Sequence, residues 1–441
     1  MGRKGWKGLA VGLGAVLFAC QAPVSGTTPM ADESVASLAK LKTAPAAKRH
    51  VAIGFSTLPS GAALRQLLAG LPVVITRLLP NAQVVVVTLD QPGDETVLAK
   101  LAKLPNVDYA DWDGVGSILA GMPTTSAAGL VTGDPRAPEQ WALSKIQAPA
   151  AWTLTQGSPE TVIAIVDTGI DLDHPDLRAK LVGGTNIPAP QQTPKDDFGH
   201  GTHVAGIAAA VVGNGVGVAG VAPAARLMPV KVNVPGSGGL EESAVADGIL
   251  WAAGHGADVI NLSLGFSDGD SEFRTLGRAV HYALSRKCIV IAAMGNGFQT
   301  FGANHAQYPA AWSRKSSLSQ IITVGATMPK DTRWPGADTG NWITLSAPGY
   351  SILSTAPTYT VPMTGMRDAA LGADMRLNYG QLTGTSMAAP YVSGLAALLL
   401  HRESTHEPAV IKRKLEMSAD RVGGADLGVG RINALATLKL R

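Results

Sequence analysis

The sequence predicts an α/β protein, a parallel sheet in three layers with helices on both faces, preceded by a small α+β unit. Two observations carry this. From about Pro138 onward, β-branched runs such as TVIAIVD (161–167), DVINLSLG (258–265), CIVIAAMG (288–295) and QIITVGAT (320–327) alternate with helix-like runs such as GTHVAGIAAAV (201–211), ESAVADGILWAAGHG (242–256) and FRTLGRAVHYALSR (273–286). Continuous apolar strands separated by helices belong to a parallel sheet buried on both sides. Before them, RHVAIGF, AALRQLLAGL, VVITRLL, AQVVVVTL, ETVLAKLAKL and NVDYADWD read strand, helix, strand, strand, helix, strand. That is the order of a ferredoxin-like unit, which at this size is marginal alone.

The composition allows a large core. Of 441 residues 46% are hydrophobic and only 16% charged, enough for more than one domain and unlike a disordered chain. A net charge of +3 with scattered basic residues excludes nucleic-acid binding by electrostatics.

In chain order, Arg3, Lys4 and Lys7 precede the apolar run LAVGLGAVLFA, so residues 1–20 read as an export signal. The run ends in LFAC, which resembles the bacterial lipobox and implies Cys20 as a lipid-bearing N-terminus after cleavage; ordinary secretion and an uncleaved anchor are the alternatives. Residues 21–47, rich in Ala, Pro, Thr and Ser, form a tether. The ferredoxin-like unit fills 48–115, a Gly, Ser, Thr and Pro-rich linker with a processing region fills 116–137, and the parallel-sheet domain runs over 138–441. The one other cysteine, Cys288, reads as a small buried hydrophobe in a strand.

Ligands of parallel sheets bind beyond the carboxyl ends of the strands. Asp167 ends TVIAIVD; His200, in DDFGHGTHVAG, and Ser386, in GTSMAAP, each start a helix. Singly they read as a turn aspartate, a capping histidine and a capping serine. Together they are the set that acyl transfer requires: a hydroxyl is a poor nucleophile until a base takes its proton, and a carboxylate orients that base.

In the order Asp, His, Ser, the motifs IVDTGIDLDHPDL, GHGTHVAG and GTSMAAP resemble those of the subtilisin-like serine proteases, the subtilase family. The resemblance implies a subtilisin-like catalytic domain and an endopeptidase whose triad is Asp167, His200 and Ser386, with His203 structural. It implies that Asn296, in AAMGNG, donates to the oxyanion beside the Ser386 N–H, and that Ser263, Leu264 and Gly265 pair with an extended peptide opposite a rim at VPGSGGL, which contains Gly238. Gln307 is expected near the floor of the pocket for the residue before the scissile bond. Structural Ca²⁺ is implied at Gln140, Asp176 and Asn214, where oxygen-only ligands suit that ion, with no catalytic cofactor.

The N-terminal unit resembles the family's inhibitory propeptide, which implies an autoprocessed zymogen with its own N-terminal segment as intramolecular inhibitor and protein or peptide substrates as partners; an accessory binding domain that is never removed is the alternative. A monomer is expected. Two stretches depart from the family pattern: TYTVPMTGMRDAALGADMRLNYG (358–380) is long enough for a lid, and PYVSG stands for the usual PHVAG. GVGVAG (215–220) follows a helix and precedes a strand, the reverse of a dinucleotide fingerprint. No G-x-S-x-G elbow surrounds Ser386, which disfavours an α/β-hydrolase esterase. A non-catalytic module that binds peptides on the same fold is the remaining alternative.

Overall fold

The computed structural model describes residues 49–118, 132–267, 272–368, 373–403 and 405–440. The expected signal with Cys20, the tether, and positions 119–131 of the expected linker lie outside the described residues.

The N-terminal unit runs β1 (His50–Phe55), α1 (Gly61–Leu67), β2 (Val73–Leu79), β3 (Val84–Leu89), α2 (Glu95–Leu101) and β4 (Val107–Trp112). Ser60 and Asp94 start the helices by accepting the Ala63 N–H and the Thr96 and Val97 N–H groups, which otherwise lack acceptors. The antiparallel sheet has the order β2-β3-β1-β4. Successive strand residues point to opposite faces, and both faces are covered. Val51, Ile53, Val85 and Val87 join the unit's own core, while Ala52, Val84 and Val86 join a core shared with the rest of the chain. The unbroken VVVV of β3 has this cause.

From Val115 onward the strands are β5 (Val115–Ile118), β6 (Val162–Asp167), β7 (Thr185–Asn186), β8 (Arg226–Lys231), β9 (Gly239–Glu241), β10 (Val259–Leu262), β11 (Leu264–Ser267), β12 (Ile289–Ala293), β13 (Gln307–Tyr308), β14 (Ile322–Thr327) and β15 (Leu345–Pro348). Seven of them make one sheet in the order β15-β14-β12-β10-β6-β8-β7, paired in parallel throughout. Ile163 and Ile165 of β6 enter one core with helices α3 (His200–Ala209) and α6 (Thr385–Arg402). Ala164 and Val166 enter the other, with α4 (Glu242–Gly254) and α5 (Arg274–Ser285). These are the three layers. The two helices on the first face approach closely: a Cβ on Gly394 would stand 2.7 Å from the Ala208 carbonyl oxygen.

Of residues 358–380, positions 369–372 lie outside the described residues. The described ones contribute β17 (Arg367–Asp368), β18 (Ala373–Met375) and the start of β19 (Tyr379–Leu382) to a sheet with β16 (Ile352–Thr355). Val361 and Met363 lie against Gly199, and the Tyr359 hydroxyl donates to the Asp196 carbonyl at 2.8 Å. The stretch therefore supports the turn before His200. Among the described residues no helix is long and apolar enough to cross a membrane; α6, with residues 385–400 all buried, is a core helix.

Candidate functional site

β6 lies where the chain reverses direction across the sheet, with β8 and β7 on one side and β10, β12, β14 and β15 on the other. Such a switch point opens a crevice at the carboxyl ends of the strands. Asp167 is the last residue of β6 and is fully buried. Its Oδ1 accepts from the Thr168 N–H at 2.7 Å and lies 2.8 Å from His200 Nδ1, with Oδ2 at 3.0 Å. His200 opens α3 after Gly199, whose φ of 113° suits glycine. Its Nε2 is buried without a hydrogen-bond partner. A carboxylate on Nδ1 fixes the tautomer that leaves Nε2 as the acceptor.

Asp196 holds the turn that delivers His200, and sequence reasoning missed it. Its fully buried carboxylate accepts from the Thr168 and Thr202 hydroxyls and from the Phe198, Gly199 and Thr202 N–H groups. Burial pushes its pKa up, opposed by those donors. The signal was present in the adjacent acids of DDFGHG, one of which had to be inside. His203, one turn along, sits against the Gly380 carbonyl at 3.1 Å. Burial first, and then the neighbouring His200, push its pKa down to about 3, so it stays neutral.

Ser386 is the second residue of α6; the cap is Gly384, and no side chain caps the helix. The serine hydroxyl is thus not used as a cap. It donates to the Ser263 carbonyl at 3.0 Å, while Ser263 Oγ donates back to the Ser386 carbonyl at 2.8 Å. Pro390 explains the second bond: lacking an N–H, it cannot bond the carbonyl four residues earlier, and Ser263 supplies the missing donor. Ser263 Oγ in turn accepts from Asn261 Nδ2, and Asn261 Oδ1 accepts from Ser393, the serine of the unusual PYVSG. Ser386 Oγ is turned toward Ser263 and away from an imidazole bond, a looseness common before substrate binds.

Asn296 follows β12. Its Oδ1 accepts from the Thr385 N–H and hydroxyl, each at 3.0 Å. That leaves Nδ2 as a buried donor with no partner. Behind Gly295 stand Gln307 and Asp338: a Cβ there would meet Asp338 Oδ2 at 2.2 Å and Gln307 Cγ at 2.5 Å. Gln307 Nε2 donates to Ser267 Oγ at 2.9 Å, tying it to the strand that carries Leu264 and Gly265. Burial raises the Asp338 pKa, against the His305 side chain, which bonds its carboxylate. Cys288 is buried, its thiol pushed up to about 12 by burial, and is inert.

A second, four-stranded sheet crosses this region in the order β13-β11-β5-β9. Residues 115–118 are therefore a strand, where the sequence suggested unit end and linker. Leu264 pairs with Ile118 and Gly265 with Ser117, antiparallel. On the other side Val115, Gly116 and Ser117 pair with Glu241, Leu240 and Gly239, and the Ile118 N–H donates to the Gly238 carbonyl at 3.1 Å. The expected peptide-binding strand and rim thus hold a segment of the same chain. The N-terminal unit is anchored nearby. Arg278 donates to the Phe55 and Ala82 carbonyls and to Asp108, and the Asp113 carboxylate accepts from the Ser243 N–H at 2.7 Å and from its hydroxyl.

The three expected Ca²⁺ ligands all meet the loop 213–219. Asp176 and Asn214 are together: Asn214 Nδ2 donates to Asp176 Oδ1 at 2.8 Å, and Asp176 Oδ2 accepts from the Val218 N–H. Gln140 reaches the same loop: its amide oxygen accepts from the Ala219 N–H, next to Val218, and its Nε2 donates to the Ala219 and Leu353 carbonyls. Asp134, outside the expected set, accepts from the Gly213 and Gly215 N–H groups on either side of Asn214. The donors are oxygens, as Ca²⁺ requires, but they are turned to N–H groups. Among the described residues no three His, Cys, Asp or Glu side chains surround one point.

Residues 158–433 match the model of the subtilase family. The chain is 40% identical over 297 residues to thermitase of Thermoactinomyces vulgaris, covering 67% of this chain and 94% of that protein. It is 36% identical over 301 residues to subtilisin Savinase of Lederbergia lenta, covering 68% and 98%. The crystal structure of fervidolysin from Fervidobacterium pennivorans, a keratinolytic enzyme related to subtilisin, superposes with a TM-score of 0.76 at 26% identity. That match covers 89% of this chain but only 61% of the fervidolysin chain. With its parallel sheet, the buried Asp167–His200 pair and these relatives together, the chain belongs to the subtilase family and is a subtilisin-like serine endopeptidase.

Proposed function

We propose that the chain is an exported zymogen that processes itself and then hydrolyses peptide bonds through an acyl-enzyme on Ser386. The observation that carries this is the buried His200, with Nδ1 on the Asp167 carboxylate and Nε2 unpaired. Rotation of Ser386 Oγ off the Ser263 carbonyl presents its proton to Nε2. Oγ attacks the substrate carbonyl carbon as the imidazole takes the proton, and Asp167 stays ionised to stabilise the imidazolium. The charge that develops on the carbonyl oxygen is met by Asn296 Nδ2 and the Ser386 N–H at the positive end of α6. The imidazolium then protonates the leaving amine, and water repeats the sequence on the acyl-enzyme.

The N-terminal unit acts as inhibitor and folding template. The support is β5, which lies as an extended peptide would between β11 and β9, a mode in which main-chain bonds supply affinity. Gln307 limits the depth of the pocket behind Gly295. Asp176, Asn214 and Gln140, with Asp134 beside them, would hold a structural Ca²⁺, for which an all-oxygen ligand set is suited. Export ends in lipidation at Cys20, which predicts palmitate labelling that is lost in Cys20→Ser. The central test is Ser386→Ala, which abolishes peptide hydrolysis and labelling by a fluorophosphonate; equal labelling of the two proteins would overturn the reading.

A further inference from the structure

Lys231 is the last residue of β8, directly opposite Asp167 in the parallel pairing. Its side chain is only 4% exposed, and a buried ammonium is costly unless every donor is used. All three are. Nζ donates to the Thr168 carbonyl at 3.0 Å, to Asp197 Oδ1 at 2.5 Å and to Asn233 Oδ1 at 2.5 Å. Each acceptor belongs to a different part of the site: the turn after Asp167, the loop before His200, and the start of the rim.

The rim takes its shape from the same cluster. Asn233 Nδ2 donates to Asp197 Oδ1 and to the Val234 and Ser237 carbonyls, and Asp197 Oδ2 accepts from the Gly236 N–H at 2.8 Å. Gly238, whose carbonyl receives the Ile118 N–H, directly follows Ser237. The loop carries glycines at 236, 238 and 239 and has no apolar core of its own, so these bonds stand in for packing.

We infer that Lys231, with Asp197 and Asn233, is a positioning group for the extended part of the substrate. It holds the rim strand at the spacing an added peptide strand needs and does not act on the reacting atoms. The inference rests on the proteolytic reading above, and the test separates the two. The full chain is expressed, left to mature, and titrated with a fluorophosphonate. Turnover is then measured on a single-residue ester, which does not reach the rim, and on a peptide with about four residues before the scissile bond, long enough to add a strand.

In Lys231→Met the KM for the long peptide rises about tenfold, the effect of loosening one or two main-chain bonds. Its kcat, and both constants for the ester, change far less than that KM. A general structural defect would lower kcat on both substrates. Asn233→Ala, on the rim side of the cluster, gives the same split and serves if Lys231→Met does not fold. Equal losses on ester and peptide, or no change in either variant, overturn the positioning role. A wild-type protein that takes no fluorophosphonate label overturns the proteolytic reading instead.

Discussion

Gly116 decides how closely β5 can lie in the cleft. A Cβ there would stand 2.6 Å from Cδ1 and Cε1 of Phe266 and 2.8 Å from the Gly265 carbonyl oxygen. Phe266 is fully buried against Phe273 and cannot swing away, and the oxygen belongs to the pairing strand itself. In Gly116→Ala, β5 must retreat by roughly 1 Å to restore ordinary contact distances of about 3.5–4.0 Å. Hydrogen bonds are lost at such a displacement. The pairing of Ile118 with Leu264 and Ser117 with Gly265 then contributes little. Two bonds at about 1 kcal/mol each, with about 1 kcal/mol of overpacking, come to about 3 kcal/mol, or roughly 10²-fold in the hold of the segment on the cleft. The assay follows hydrolysis from the moment the full chain is purified. Wild type shows a lag before activity, and Gly116→Ala shortens or abolishes it. Gly61→Ala, where a Cβ meets only the Arg65 side chain at 3.8 Å, controls for a glycine substitution elsewhere in the N-terminal region. A lag in Gly116→Ala identical to wild type would refute the claim that β5 blocks the cleft by strand pairing.

Three more outcomes are expected. Asn296→Ala lowers kcat about 10²- to 10³-fold with little change in KM, the loss that follows removal of the oxyanion asparagine in subtilisin; steady-state kinetics on one peptide substrate check it, and an unchanged kcat removes Asn296 from the oxyanion site. Asp113, buried where the two units meet, has its pKa raised from 3.8 to about 6, first by burial and against its bonds to Ser243. A raised carboxyl favours the docked state when protonated, so the contact is strongest below about pH 4 and weakens as pH rises through about 6. Unfolding midpoints of Ser386→Ala protein across that range should fall more steeply than those of Ser386→Ala with Asp113→Asn, and parallel profiles contradict the assignment. Ca²⁺ at about 100 times its Kd should stabilise the protein by about 2.7 kcal/mol, an effect lost in Asp176→Asn; a midpoint indifferent to both Ca²⁺ and chelator rules the site out.

Much of this architecture was legible in the chain. The unbroken apolar runs at 162–166 and 289–293 require cover on both faces, and the two cores that share β6 provide it. Asp167, His200 and Ser386 could be named because each lies at a strand or helix end within a motif that resembles the subtilases, and Asn296 through the resemblance of AAMGNG alone. The contact that the stretch 358–380 makes was not legible, since the docking of Val361 and Met363 on Gly199 depends on a partner more than 160 positions away in the chain.

Local pattern determined which residues could bear the chemistry: periodicity says which face is apolar, and turn residues say where strands stop. It could not determine which acceptor each polar group finds, because hydrogen bonds inside a protein are chosen by three-dimensional neighbours with no fixed sequence offset. Only the tertiary structure shows Asp196 gathering five donors, Lys231 binding three loops together, Asp134 holding the N–H groups on either side of Asn214, and residues 115–118 as a strand where composition suggested a unit end and a linker.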